Sequence, residues 1–183
     1  AIAITDTSNM FGALEFSINM VSNGIQPIIG MQVNIASTEN LENCIGEVVL
    51  IAKNEIGYKN LLVLTSKLSN NSEFDKFINY EDLKNYRDGL ILLTGGIENG
   101  FVGKPASLGN LKLVNDRLKI LKDLFDDNLY IELQRHGIKS QVNAEKILLD
   151  SSHKCNLPLV ATNDCFFENE DKFNAHQVLT CID

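Results

Sequence analysis

Short apolar runs alternate with amphipathic stretches along the whole chain, and this alternation limits the possible folds more than any other feature. The apolar runs predict strands at residues 1–5, 27–33, 47–51, 89–94, 129–133 and 158–162. Apolar residues at helical spacing predict helices at residues 9–21, 56–68, 108–125, 142–155 and 171–181. Nearly continuous apolar strands separated by helices are typical of the α/β class, with a mainly parallel sheet covered by helices.

Polar side chains follow several of the predicted strands, at Asp6, Gln32, His136 and Asp164. Active sites of (β/α) barrels lie at the carboxyl ends of the strands, so this pattern favours a sheet that curls towards a barrel. A polar stretch at residues 70–80 predicts a loop. The sequence has no internal repeat, low-complexity tract or linker, which indicates a single domain over residues 1–183.

Composition narrows the classes of function. The chain has 183 residues, 44% of them hydrophobic and 22% charged, as in an ordinary globular domain. Its formal net charge is −8, whereas a free-standing DNA-binding domain is usually basic because it neutralises phosphates. No apolar run approaches the roughly 20 residues that cross a bilayer. We therefore expect no membrane role, and we expect any contact with DNA to be made mainly by other domains.

The cysteines and the first residues indicate where such a protein works. The four cysteines form no CxxC pair and stand far apart, at Cys44, Cys155, Cys165 and Cys181. Free thiols in apolar surroundings are common, and the pattern predicts a reducing, cytoplasmic location without disulfides. The chain opens on a predicted strand at Ala1, with no basic leader before it. We interpret it as a cytoplasmic piece of a longer protein.

Familiar catalytic and metal-binding motifs are absent from the sequence. It has no HxH, HExxH or GxSxG, and Gly95 and Gly96 lack the lysine of a phosphate-binding loop. Asp6 or Ser8 is predicted to cap the following helix rather than to act in catalysis. The histidines are predicted to be structural or solvated: His136, His153 and His176. The residues by themselves indicate a parallel α/β domain and no particular reaction.

Six segments, in order and at similar spacing, resemble the PHP (polymerase and histidinol phosphatase) domains that begin bacterial DNA polymerase III alpha subunits, the C-family replicative polymerases. They are residues 3–16, 24–30, 52–61, 130–137, 158–164 and 175–179. Residues 3–16, for example, read AITDTSNMFGALEF where that family has ALTDHGNMFGALEF. The resemblance implies a distorted (β/α)7 barrel, incomplete here because residues 1–183 lack the family's first strand and its HxH pair.

Intact members of that family hold metal ions at the strand ends with His, Asp, Glu and Cys ligands, and the metal-bound water hydrolyses phosphoesters. The resemblance assigns the corresponding positions of this chain to Thr7, Gln32, Glu47, Gly96, Asp164 and Phe166. Asp164 keeps a family ligand, and Glu47 stands where the family has His. A divalent ion usually needs three or more protein ligands, so the resemblance implies a vestigial site without metal, cofactor or catalytic residues.

The resemblance also implies a function. The longer protein is expected to be a DNA-directed DNA polymerase, with its magnesium in a palm domain outside residues 1–183. This domain is expected to be a structural and interaction scaffold without activity of its own. Its partners would be the remaining polymerase domains and, in some bacteria, a proofreading exonuclease subunit. The alternatives are a metal-dependent phosphoesterase or 3′–5′ proofreading exonuclease and, by fold analogy alone, a sugar-phosphate enzyme.

Two structural expectations follow from a barrel without its first strand and without its metals. The sheet should be open on the side of its first strand. Asp164 should be buried and should have found new hydrogen-bond donors, because an unpaired buried carboxylate is costly. The donors expected are backbone N–H groups or the side chains of Thr7, Ser8, Gln32 or Arg135.

Overall fold

A computed structural model of the chain describes residues 1–36, 45–70, 77–167 and 169–182. The strands are β1 (Ile2–Ile4), β2 (Pro27–Ala36), β3 (Ile45–Ala52), β4 (Leu90–Leu93), β5 (Leu129–Leu133) and β6 (Leu159–Ala161). The helices are α1 (Ala13–Ser22), α2 (Glu55–Asn70), α3 (Tyr80–Asn85), α4 (Gly103–Ser107), α5 (Leu111–Phe125), α6 (Lys139–Cys155) and α7 (Phe173–Thr180). Every predicted strand is present, with bounds that differ by a few residues.

The six strands form one sheet in the order β1-β2-β3-β4-β5-β6, curled into a half-barrel. Strands β1 and β2, β4 and β5, and β5 and β6 pair in parallel. Strand β3 is antiparallel to both of its neighbours, so five strands share one direction and one opposes them. The ladders among the described residues form a single open series. The α/β class and the incomplete PHP-type barrel with mainly parallel strands are confirmed.

Strand β3 is reversed because its connection to β2 is short. Residues 37–44 separate the two strands, whereas a parallel return needs about a dozen or more residues and usually a helix. The antiparallel ladder runs from Gly30 opposite Ile51 to Ala36 opposite Ile45. As a result, the beginning of β3 lies at the edge of the sheet where the neighbouring strands end. That reversal brings Glu47 towards the carboxyl ends of the other strands.

Side-chain alternation along β2 and β3 separates a packed face from a polar one. Met31, Val33 and Ile35 of β2 are buried against the helices that cover the sheet, and α2 contacts both strands. The alternate positions place Gln32 and Asn34 on the opposite, concave face. The same buried cluster includes Leu61, Leu64 and Leu68 of α2 and Leu118 and Leu121 of α5.

Two short helices were not predicted. A single helix was expected over residues 108–125, but α4 ends before Gly109, which has a φ of +72°, and α5 begins after it. The side chain of Asn110 accepts a hydrogen bond from the N–H of Leu113 at 3.1 Å and so caps α5. In the predicted loop at 70–80, residues 71–76 lie outside the described residues, and α3 begins at Tyr80.

The predicted cap of α1 is wrong. The helix begins after Gly12, and no side chain caps it. Asn9, not Asp6 or Ser8, supplies the nearby side-chain acceptor, with its Oδ1 atom 3.1 Å from the N–H of Phe11. Ser8 takes a left-handed backbone conformation with a φ of 59°, which turns the chain out of β1.

Three of the cysteines, Cys155, Cys165 and Cys181, are free thiols. Cys44 lies outside the described residues. None of the helices in the described part of the chain has the length and apolar character needed to span a membrane.

Candidate functional site

The chain leaves β1 alongside β2 and brings two of the predicted site positions together. The N–H of Gln32 donates to the carbonyl oxygen of Asp6 at 3.0 Å, and the N–H of Ser8 donates to the carbonyl oxygen of Gln32 at 2.7 Å. Thr7 and Gln32 form an isolated parallel bridge. These backbone bonds extend the pairing past the end of β1 and hold Thr7 beside the concave face.

Gln32 and Glu47 form the first side-chain contact of the site. The Nε2 atom of Gln32 donates to Oε1 of Glu47 at 2.5 Å. Glu47 lies opposite Asn34 in the ladder, so Gln32 and Glu47 are diagonal neighbours on one face of the sheet. Burial raises the pKa of Glu47, and the negative charge of Asp164 raises it further against the opposing effect of the Gln32 bond.

Glu132 of β5 is the buried centre of the site. Its Oε1 atom accepts hydrogen bonds from Oγ1 of Thr162 at 2.5 Å and from Nε2 of Gln134 at 3.2 Å. Its Oε2 atom accepts from the N–H of Gly95, in the turn after β4, at 3.1 Å. The carboxylate therefore ties together β5, the end of β4 and the end of β6.

The same carboxylate is held in an unfavourable place for charge. Burial raises the pKa of Glu132 most, and the nearby charges of Asp164 and Glu47 raise it further. The hydrogen bonds from Thr162 and from the backbone of Gly95 act in the opposite direction. Three carboxylates thus influence one another across the concave face.

Gln134 connects the two sides of this cluster. Its Nε2 atom donates to Oε1 of Glu132 and to Oδ2 of Asp164, each at 3.2 Å. Its Oε1 atom lies 2.5 Å from the position that a Cβ atom on Gly96 would occupy. The amide of Gln134 therefore fills the space next to Gly96 and bridges two carboxylates with one donor group.

The expectation for Asp164 needs two corrections. Asp164 is exposed, because it lies in the chain that leaves the short edge strand β6. Its described donor is Gln134, which was not among the predicted donors. Arg135, one of the predicted donors, forms a two-point ion pair with Glu145 instead, at 2.6 and 3.1 Å.

Phe166 contacts the last helix. Its exposed ring stacks on the imidazole of His176 in α7, with the ring centres 5.4 Å apart and the planes 17° from parallel. Phe167 contacts the same imidazole at 5.5 Å. The predicted local packing of His176 is therefore present, and no described contact joins Phe166 to the carboxylates.

His136 is a structural link, as predicted. Its backbone N–H donates to Oε1 of Gln141 at 2.6 Å, which fixes the orientation of that amide. The Nε2 atom of Gln141 then donates to Nδ1 of His136 at 3.0 Å. In neutral His136 the proton is consequently on Nε2, which donates to Oδ1 of Asn163 at 2.6 Å. These bonds fasten the end of β5 to the chain after β6.

The residues at this site do not fit a metal ion. Within the described ranges, no group of three or more His, Cys, Asp or Glu residues is arranged to hold one. The carboxylates that face one another already accept amide hydrogens, from Gln32 at Glu47 and from Gln134 at Glu132 and Asp164. Gly96 offers no ligand atom. No reaction step is therefore derived through a metal here.

Sequence reasoning missed Glu132, Gln134 and Thr162. Glu132 had a recognisable signal, because it is an acidic residue inside the apolar strand 129–133, where burial without partners is costly. Gln134 and Thr162 had none, because a glutamine or threonine after a strand is commonly a solvated residue.

The half-barrel, with its polar residues gathered at one edge of the sheet, defines the class to which the molecule belongs. A sequence model of the PHP domain matches residues 1–136. The chain belongs to the PHP domain family.

The more particular likeness is to bacterial replication proteins. The chain is 37% identical to DNA polymerase III subunit alpha of Rickettsia bellii over its whole length and covers 15% of that protein. It is 34% identical to the same subunit of Borreliella burgdorferi, with 99% of the chain aligned, and of Haemophilus influenzae, with 100% aligned. It covers 16% of each. The chain thus spans about a sixth of these curated relatives and is homologous to their N-terminal region.

Proposed function

We propose that this chain is the PHP domain of a longer replicative DNA polymerase, the alpha subunit of DNA polymerase III, and that it acts there as a scaffold. The longer polypeptide carries out template-directed nucleotidyl transfer. Similarity over the whole chain to subunits of that name supports the polymerase assignment. The scaffold role is supported by the chemistry of the site.

The observation on which the scaffold role depends is the position of the Gln134 amide. One N–H group faces both Glu132 and Asp164 at 3.2 Å, and this is where intact relatives would need a cation between ligands. An amide donor satisfies carboxylate lone pairs without activating water. The cluster is therefore completed by the protein itself, and its bonds join the ends of β4, β5 and β6.

Other parts of the proposal concern the longer protein. Its magnesium belongs to a palm domain outside residues 1–183, because two-metal chemistry requires carboxylates arranged around both ions. DNA is contacted mainly by other domains, in keeping with the net charge of −8 on this one. The partners proposed are the remaining polymerase domains and a proofreading exonuclease subunit. The proposed location is the cytoplasm.

The test uses the longer polypeptide purified with its full sequence. We expect magnesium-dependent extension of a primed template, and no zinc or manganese retained at this domain after dialysis. Thr7→His combined with Phe166→His should create no 3′–5′ degradation of primed DNA, since most ligand positions would still lack ligands. The variant Asp164→Asn supplies a matched control with a changed carboxylate. Stoichiometric zinc or manganese that depends on Asp164 would overturn the scaffold role.

One observation favours the alternative, a metal-dependent phosphoesterase or 3′–5′ exonuclease. Glu47, Glu132 and Asp164 repel one another enough to raise the pKa of the first two, and a divalent cation would relieve that repulsion. That alternative predicts hydrolysis of a phosphoester or of a primer 3′ end when manganese is added, and loss of hydrolysis in Glu132→Gln.

A further inference from the structure

An apolar stripe runs along the exposed side of α1. Leu14, Ile18 and Val21 follow one another at intervals of four and three residues and are all exposed. At about 100° per residue, their side chains lie within roughly 60° of one another around the helix. Phe11 is also exposed just before the helix. These four residues are called the α1 stripe below.

The other side of α1 is apolar as well. Ala13 is buried, and Phe16 and Met20 are half-buried where the helix contacts β2. The only charged residue of the helix is Glu15. A helix that is apolar all round is typical of the interior of a larger protein, because a surface helix normally turns a polar face to water.

Helix α5 shows what a completed surface looks like in the same molecule. Its exposed residues at the corresponding spacing are Lys112, Asp116, Lys119 and Asp123. They repeat at intervals of four, three and four residues, as the stripe does for its first three helical positions, but every one is charged. The two helices have the same geometry and opposite surface chemistry, so the stripe is a face that is normally covered.

The position of the stripe indicates what covers it. Helix α1 lies beside β1 and β2, and β1 is the first strand of the open sheet. The edge of β1 away from β2 has no ladder among the described residues, and Ile2 on that strand is exposed. A sheet edge and an apolar helix face that adjoin are both completed when a further element of the same fold packs beside them.

We infer that the α1 stripe is an intramolecular docking face, covered by another part of the same, longer polypeptide. This inference rests on the proposed function, because it needs the additional chain that the curated relatives possess, of which this chain spans about a sixth. Permanent interfaces are more apolar than those of partners that come and go. A stripe without charge suits a contact that forms once, during folding.

Two pairs of chemically identical side chains make the test internal to one protein. Leu14 on the stripe and Leu108 after α4 are 72% and 75% exposed. Val21 on the stripe and Val142 on α6 are 65% and 69% exposed. Hydroxyl-radical labelling of the longer polypeptide, read by mass spectrometry, compares each stripe residue with its control at equal intrinsic reactivity.

We expect labelling of Leu14 and Val21 to be severalfold lower than labelling of Leu108 and Val142, at every protein concentration and without any added subunit. Equal labelling within both pairs would overturn the inference. Protection that is lost on dilution would assign the stripe to a second copy, and protection that requires an added polypeptide would assign it to a separate partner. Either result also overturns the inference.

A substitution and an activity assay complete the experiment. Val21→Gln should lower the unfolding temperature of the longer polypeptide, whereas the matched Val142→Gln should leave it unchanged. Primer extension on the same preparation separates the two proposals. Extension with an unprotected stripe overturns this inference alone, whereas protection without extension overturns the proposed function alone.

Discussion

The centre of the molecule and its two flanks use similar apolar residues with opposite results. In the centre, β2–β5 with α2 and α5 bury almost every large apolar side chain. On the first flank, β1 has no buried residue and α1 has only Ala13. On the last flank, neither β6 nor α7 has a buried residue. The exposed side chains on the last flank include Phe166, Val178, Leu179 and Ile182.

This difference teaches where the stability of the chain resides. Apolar residues contribute to folding only in proportion to the surface that they remove from water. In the centre they have partners, whereas in the flanks comparable residues remain in water. The centre should therefore set the global unfolding free energy, and the flanks should open at lower cost.

The largest expected effect compares two leucines on helices. Leu121 of α5 is completely buried, whereas Leu14 of α1 is exposed. In the 183-residue chain, Leu121→Ala should lower the free energy of unfolding by about 2–5 kcal/mol, the cost of a cavity in a packed core. Leu14→Ala should change it by no more than about 0.5 kcal/mol. Urea titration of both variants measures the difference, and similar losses would contradict the contrast between centre and flank.

The next effect lies where centre and flank meet, at Glu132. Glu132→Ala leaves the donors of Thr162, Gln134 and Gly95 without their acceptor, which should cost about 1–3 kcal/mol. Glu132→Gln keeps the shape and one acceptor oxygen, so its loss should be smaller. Equal unfolding midpoints for both variants and the unchanged chain would show that these bonds contribute nothing to stability.

A pH dependence should follow from the two buried carboxylates. Burial raises the pKa of Glu47 and Glu132 above the usual 4.5, so the folded state holds their protons more tightly than the unfolded state does. Stability should therefore fall as the pH rises from 4.5 through the raised values, and should be recovered on acidification over that window. Thermal unfolding followed against pH should show this trend, and Glu47→Gln with Glu132→Gln should flatten it.

The smallest effect is expected at Asp164. This carboxylate is exposed, and its described bond is to Gln134, so Asp164→Ala should cost no more than about 0.5 kcal/mol. Primer extension by the longer polypeptide should stay near its normal rate. A large loss of extension with an unchanged unfolding midpoint would mean that Asp164 serves chemistry or substrate contact, and the scaffold role would have to be abandoned.

The sequence by itself determined the class of fold, the strands and the principal helices. Local periodicity was sufficient for this, because the pattern of apolar residues reflects which faces of each element are buried. It also pointed to the PHP family and to positions such as Gln32 and Glu47, which the structure brings into direct contact. Short elements such as α4 were missed, since five residues that include Gly103 and Pro105 leave no readable period.

Only the tertiary structure decided the direction of β3 and the completion of the site. A strand has the same alternation of side chains in either direction, so its sequence does not distinguish a parallel neighbour from an antiparallel one. The bond between Gln134 and Asp164 joins residues 30 positions apart, across the ends of two strands. Neither residue type signals that contact locally. It exists because the curled sheet brings strand ends together, and because Gly96 leaves room for the amide.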